Sequence, residues 1–261
     1  MVVKMKLAPV FYTLAQIKFN PVSQLSEYVS KFQEKLRHIN FPDFNENEIT
    51  GLIIRQSNNL EPSINQKKTT KWEFNNIDQT EGYILLNDAL SFHTTNYDTF
   101  DSFLDKLLNG LELLHEIINI SYVDRLGLRY LDLINPNTDK KIDDYLKKEF
   151  LGLTNIMKGE FKHSFSETAI EINNGTLVVK SFISNESALL PPDLSPLNLK
   201  LSPRFNNLEK GMKSILDTDY FSEKRSIFNL DDIKQQLISS HTIISESFKS
   251  SVTDFAIDSW R

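Results

Sequence analysis

The stretch DRLGLRYLDL, residues 124–133, places Arg125 and Arg129 four positions apart with Gly127 midway between them. Read as a strand, it sends Leu126, Leu128 and Tyr130 to one face and Arg125, Gly127, Arg129 and Leu131 to the other. The first face is expected in the core. On the second, the arginine backbones stand about 13 Å apart, so the guanidiniums share one ligand only by leaning inward over the bare backbone of Gly127. Two uses fit this pattern: forked hydrogen bonds to an anion or a peptide carboxylate, or ion pairs with acids of the neighbouring strand.

Two histidines extend the search. His115 and His241 each lie beside the apolar stripe of a long helical pattern. That placement allows a metal site or an acid–base pair where the halves of the chain meet, or equally two histidines that each satisfy one local partner. His115-Glu116 lacks the second histidine of H-E-x-x-H, and His38, His93 and His163 show no ligand spacing. Asp143–Asp144 and Asp231–Asp232 each open a predicted helix, where negative side chains cap free N–H groups. Pro192–Asp193 followed by Asn198-Leu199-Lys200 is similar to the acid-and-lysine pattern of metal-dependent nucleases, but asparagine stands where the second metal-binding acid is needed. Neither a serine elbow nor a glycine-rich phosphate loop occurs, and only 8 glycines are present. The chain has no cysteine, which excludes disulfides, thiolate zinc sites, iron–sulfur clusters and cysteine nucleophiles. The candidate ligand-binding residues are Arg125, Arg129, Tyr130, His115 and His241; no catalytic residue, metal or cofactor is assigned.

The charge balance, 29 basic against 35 acidic residues with a net charge of −6, disfavours broad binding to nucleic acid or anionic membrane. Lys67, Lys68 and Lys71 beside Trp72 form the richest local basic patch, and a solvated edge strand explains them as well as a nucleic-acid contact does. The first residues, MVVKMKLAPV, read as neither signal peptide nor anchor. No segment approaches the roughly 18 continuous apolar residues of a membrane helix. A cytoplasmic protein is expected.

The elements that must position these residues follow from periodicity. Strands are predicted at 10–20, 49–56, 67–75, 82–86, 90–94 and 124–134, with helices at 23–39 and 99–119. Gly110 interrupts the second helix at a cost of about 1 kcal/mol, which points to close packing there. Later come a short helix at 142–150, a hairpin turning at Asn173–Asn174–Gly175, strands at 197–201 and 212–221, and a helix from about Asp231. Laying LHEIINISY from Leu114 over SHTIISESF from Ser240, an offset of 126 residues, also matches Leu107 to Ile233 and Leu111 to Leu237. The expected fold is α+β: two similar halves, 1–136 and 137–261, each an antiparallel sheet packed against a long helix.

The segments LAPVFYTLAQIKFNPV and DRLGLRYLDLINP, with His241, Phe248, Thr253 and Asp254 near the terminal tryptophan, resemble a sporadically distributed family of uncharacterised bacterial proteins of about 260 residues. The resemblance covers nearly the whole chain, carries no activity, and implies an accessory gene of the kind found with mobile or defence loci. Sheets, helices and 18 phenylalanines without a catalytic constellation point to a binding or adaptor protein for a protein, peptide or small anionic ligand. An enzyme with dispersed residues between the halves, and a nucleic-acid-associated component, are the alternatives; homo-oligomerisation is left open.

Overall fold

The protein is described from a computed structural model, which covers all residues except 1–4, 58–59, 138, 155, 186–189, 196, 207 and 209–210, with backbone only over 49–67. The basic patch is therefore described only in part, and the first residues of the chain lie outside the described set. Strands β1 (Val10–Phe19), β2 (Asp43–Ser57), β3 (Leu60–Asn75), β4 (Glu81–Leu86) and β5 (Ala89–Thr94) precede β6 (Tyr122–Ile134), β7 (His163–Ile172), β8 (Gly175–Ser184), β9 (Lys213–Ser222) and β10 (Ser226–Ile227). Helices α1 (Val29–His38), α2 (Phe100–Ile118), α3 (Ile142–Tyr145), α4 (Pro203–Asn206), α5 (Leu230–Ser251) and α6 (Asp254–Ser259) connect or follow them.

Among the described residues, all strands join one 10-stranded antiparallel sheet in the order β2-β3-β4-β5-β1-β6-β9-β8-β7, with β10 added beside β6. The small sheets expected for separate halves are thus continuous. The seam is the pairing of β1 with β6, in which Leu14 faces Arg129 and Gln16 faces Gly127.

Strand alternation decides which residues meet the helices. Ala15 and Ile17 of β1, Leu126, Leu128 and Tyr130 of β6, and Leu216 and Tyr220 of β9 join the main core with α1, α2 and α5. In α2 the stripe Leu107, Leu111 and Leu114 is wholly buried, each such side chain contributing about 1.5–3 kcal/mol. Thr99 caps this helix by accepting from the Ser102 amide, and Asn229 caps α5 in the same way through Asp232.

Gly110 is buried in α2, and a β-carbon there would overlap the ring of Tyr83. That ring cannot retreat, because Tyr83 is fully buried and its hydroxyl donates to the Lys106 carbonyl at 2.6 Å. Overpacking should therefore outweigh the gain in helix propensity. Gly110→Ala is expected to lose about 1–3 kcal/mol in urea unfolding; a neutral or stabilising result would refute this account of the glycine.

Two sequence expectations change locally. In the β7–β8 hairpin the positive φ values fall on Asn173 and Asn174, and Gly175 begins β8 where a β-carbon would crowd Tyr220. Residues 197–201 do not form a strand. They belong to a strap, described over 190–195 and 197–206, that crosses the sheet face opposite the long helices. Its Leu190, Leu194, Leu197, Leu201 and Phe205 pack on a second apolar cluster made by Phe11, Tyr12, Leu131, Leu133 and Ile215. No helix among the described residues is long and apolar enough to cross a membrane.

Candidate functional site

The face under and beside the strap carries both arginines of β6, and they are held differently. Arg129 donates from Nε and Nη2 to the two Asp217 oxygens, each at 2.7 Å, and from Nη1 and Nη2 to Asp193 of the strap. Its side chain is 12% exposed and that of Asp217 5%. Burial pulls the Arg129 pKa down, but hydrogen bonds and charge from Asp217 and Asp193 more than offset it and the net shift is upward. Of the two sequence readings, the ion pair with the neighbouring strand describes its geometry.

Arg125 folds back over Gly127, with Nη1 2.9 Å from where a β-carbon would stand. Its guanidinium lies 4.6 Å from the centre of the Phe221 ring. Nη1 donates to Gln16 Oε1 at 3.4 Å, and Nε lies 3.8 Å from Glu223. These are loose contacts, and the Glu223 side chain is 70% exposed. Asp219 on the same face feels both arginines, yet burial dominates and holds its carboxyl above the usual range. The missing side chain at Gly127 thus makes the seat for a cation that rests on an aromatic ring and, among the described residues, makes only these loose polar contacts.

Beyond β1 the same face is polar and covered. Tyr12 Oη and His93 Nδ1 are 3.0 Å apart, while His93 Nε2 has no hydrogen-bond partner among the described residues. Burial, with a smaller contribution from Lys71, pushes His93 down to about 3, so its ring is neutral. Glu73 accepts from Lys71 at 2.8 Å, from Asn47 at 3.2 Å and from Asn198 of the strap at 2.7 Å. Lys68 of the basic patch pairs with Glu48 at 3.0 Å.

Tyr130 and the two helix histidines lie on the helical face, across the sheet from the arginines. Tyr130 donates to the Tyr97 hydroxyl at 3.2 Å, and its ring centre is 6.1 Å from that of His241. His241 stacks on Phe100 at 4.0 Å, and burial lowers its pKa. His115 stacks on Phe228 at 4.1 Å. Phe100 and His115 are fifteen residues apart on α2, so the histidine sites are separated by about 22 Å along that helix. They form no pair. The structure therefore groups Arg125 with Arg129, groups Tyr130 with His241, and leaves His115 apart.

A cleft of about 280 Å³ opens at the start of α2, lined in part by Asp78, Glu81, Asp98, Tyr97 and Lys106. Lys106 is occupied by Glu81 at 2.6 Å. Among the described residues no group of acids and histidines is arranged to hold a metal ion.

No family model matches the chain, and neither the curated proteins nor the solved structures contain a significant match to it.

Sequence reasoning missed Asp217, Gln16 and Phe221, and met Asp193 only in a nuclease-like pattern, not as a partner of Arg129. Part of the signal was present: ILDTDYF in β9 puts Asp217 and Asp219 two apart on one face, the spacing that answers an arginine strand.

Proposed function

We propose that this chain is a binding or adaptor protein, and that the sheet face opposite its long helices grips an anionic group, such as a carboxylate of a peptide, protein or small ligand, at Arg125. The observation that carries this reading is the contrast between the two arginines. Arg129 spends its donors on Asp217 and Asp193, whereas Arg125 is braced by Phe221 and Gly127 with only loose polar contacts. A pre-oriented, partly desolvated guanidinium loses little entropy on meeting a carboxylate.

Affinity capture with mass spectrometry, followed by titration of the recovered ligand, tests the proposal. Arg125→Ala should weaken binding at least about tenfold, the worth of a charge-assisted hydrogen bond, and Arg125→Lys should restore only part of it. Thermal stability should move little, because the group's ionic contacts are long and solvent-exposed. Unchanged affinity in Arg125→Ala would sink the assignment.

We also infer that the chain arose by doubling of a strand–helix–strands–helix unit. The strand order reads outward from the β1–β6 seam in the same sense on both sides, β1-β5-β4-β3 and β6-β9-β8-β7. The final helix of each unit carries one histidine that stacks on a phenylalanine at the start of the other: His115 on Phe228 and His241 on Phe100. Leu107 and Leu111 of α2 and their matches Ile233 and Leu237 of α5 are all buried. On this reading the boundary between units falls before β6 rather than at Pro136.

A further inference from the structure

We infer that the strap is an internal stand-in for a protein partner, and that the apolar trough beneath it receives a peptide in which leucines flank an aspartate. The inference rests on the binding role proposed for this sheet face and names the partner's chemistry beside Arg125.

The attachment of the strap differs in kind from that of every strand. Each strand is held by a ladder, but among the described residues one backbone–backbone hydrogen bond ties 190–206 to the rest of the chain, from the Lys200 amide to the carbonyl of Gln79 in the β3–β4 turn at 2.7 Å. The other anchors are side-chain contacts: Asp193 on Arg129, Asn198 on Glu73, and the Thr95 hydroxyl donating to the Lys200 carbonyl. The bulk of its hold is leucine packing on Tyr12, Leu131, Leu133 and Ile215. Segments with so few backbone bonds open below the cost of global unfolding.

What opening would uncover is specific. The floor is apolar, and Arg129 stands at its rim with one side fixed to buried Asp217 and the other turned to Asp193, whose side chain is 61% exposed. Losing Asp193 frees Nη1 while Asp217 keeps the guanidinium aimed, so a carboxylate arriving from outside finds an oriented fork. The floor accepts branched side chains where Leu194 and Leu197 now sit. Around Asp193 the strap makes a single 3-10 turn, Pro192–Leu194, in which neither Pro191 nor Pro192 has an amide to offer for pairing. A partner segment with the same side chains meets every requirement the strap meets.

The test replaces 190–206 by a glycine–serine linker of equal length and titrates it with a fluorescent synthetic peptide having the sequence of residues 190–206. Saturable binding is expected, at least about tenfold tighter than to the intact chain, where the tethered strap competes at high effective concentration. The peptide carrying Asp193→Ala should bind about three- to fivefold more weakly. Hydrogen exchange on the intact protein should show strap amides exchanging well ahead of those in β6 and β9. A folded linker variant that binds no peptide overturns the inference, as does binding indifferent to Asp193→Ala. If the variant does not fold, exchange decides: strap amides as protected as those of β6 mean a fixed part of the core and overturn it. Arg125→Ala separates the two readings, because loss of captured ligand with no strap-peptide binding removes only this inference, and the reverse removes only the Arg125 assignment.

Discussion

Replacing Arg129 with alanine is expected to cost about 3–5 kcal/mol of stability, the penalty for stranding a buried charge. Its partner Asp217 is 5% exposed and receives both forked hydrogen bonds at 2.7 Å. Without the guanidinium, that carboxylate is left to repel the charges of Asp132 and Asp219, both of which already feel it. Asp193→Ala removes the exposed end of the same network and should cost no more than about 1 kcal/mol. The double variant Arg129→Met, Asp217→Leu should recover most of the loss, since Leu131 and Tyr12 supply an apolar setting. Urea unfolding of the four proteins measures this. A single Arg129→Ala variant within about 1 kcal/mol of the parent would show that the pair does not hold the seam between β6 and β9.

The second large effect is in the pH dependence. Asp132 is buried on β6 and its carboxyl is pushed from its ordinary 3.8 up to about 8, by burial first and then by the charge of Asp217. The folded protein therefore keeps a proton there that the unfolded chain has released, and stability falls as pH rises through that interval. His93 acts oppositely: held down at about 3 by burial, it lets the unfolded chain bind more protons below its ordinary 6.5, so its contribution is lost on acidification. His241, also lowered by burial, adds to the histidine side, and Asp219, raised by burial, adds to the aspartate side. Between pH 4 and 6.5 these largely oppose one another. Above 6.5 the histidines are neutral in both states and the buried acid acts alone. Stability should then drop by about 2 kcal/mol between pH 6.5 and 8, and Asp132→Asn should abolish the drop. A flat profile across that range, or a slope that survives in Asp132→Asn, would contradict it.

The helical side of the fold was legible because periodicity reports it directly. The α2 stripe and the packing hint at Gly110 both follow from spacing within one segment, and the structure places each as expected. The alternation in DRLGLRYLDL likewise sent Leu126, Leu128 and Tyr130 inward and the arginines outward. The strap misled the same reasoning. Its leucines carry apolar spacing like that of a strand, but side-chain packing on Phe11, Tyr12 and Leu131, not a backbone ladder, determines where it lies. Leucines pack equally well in either role, so composition cannot separate them.

The sequence by itself determined the class of each long element, the faces of β6 and the absence of cysteine chemistry, since these depend on residues close together in the chain. Only the tertiary structure decided which strands became neighbours. That choice joined β6 to β9 and gave Arg129 its carboxylate, set Arg125 over Gly127 and Phe221 with only the long contact to Glu223, and put the histidines at opposite ends of a helix pair. The physical reason is range: period and capping are local, whereas a charge takes its meaning from whatever long-range pairing brings within a few ångströms of it, and residues 88 positions apart announce no such meeting along the chain.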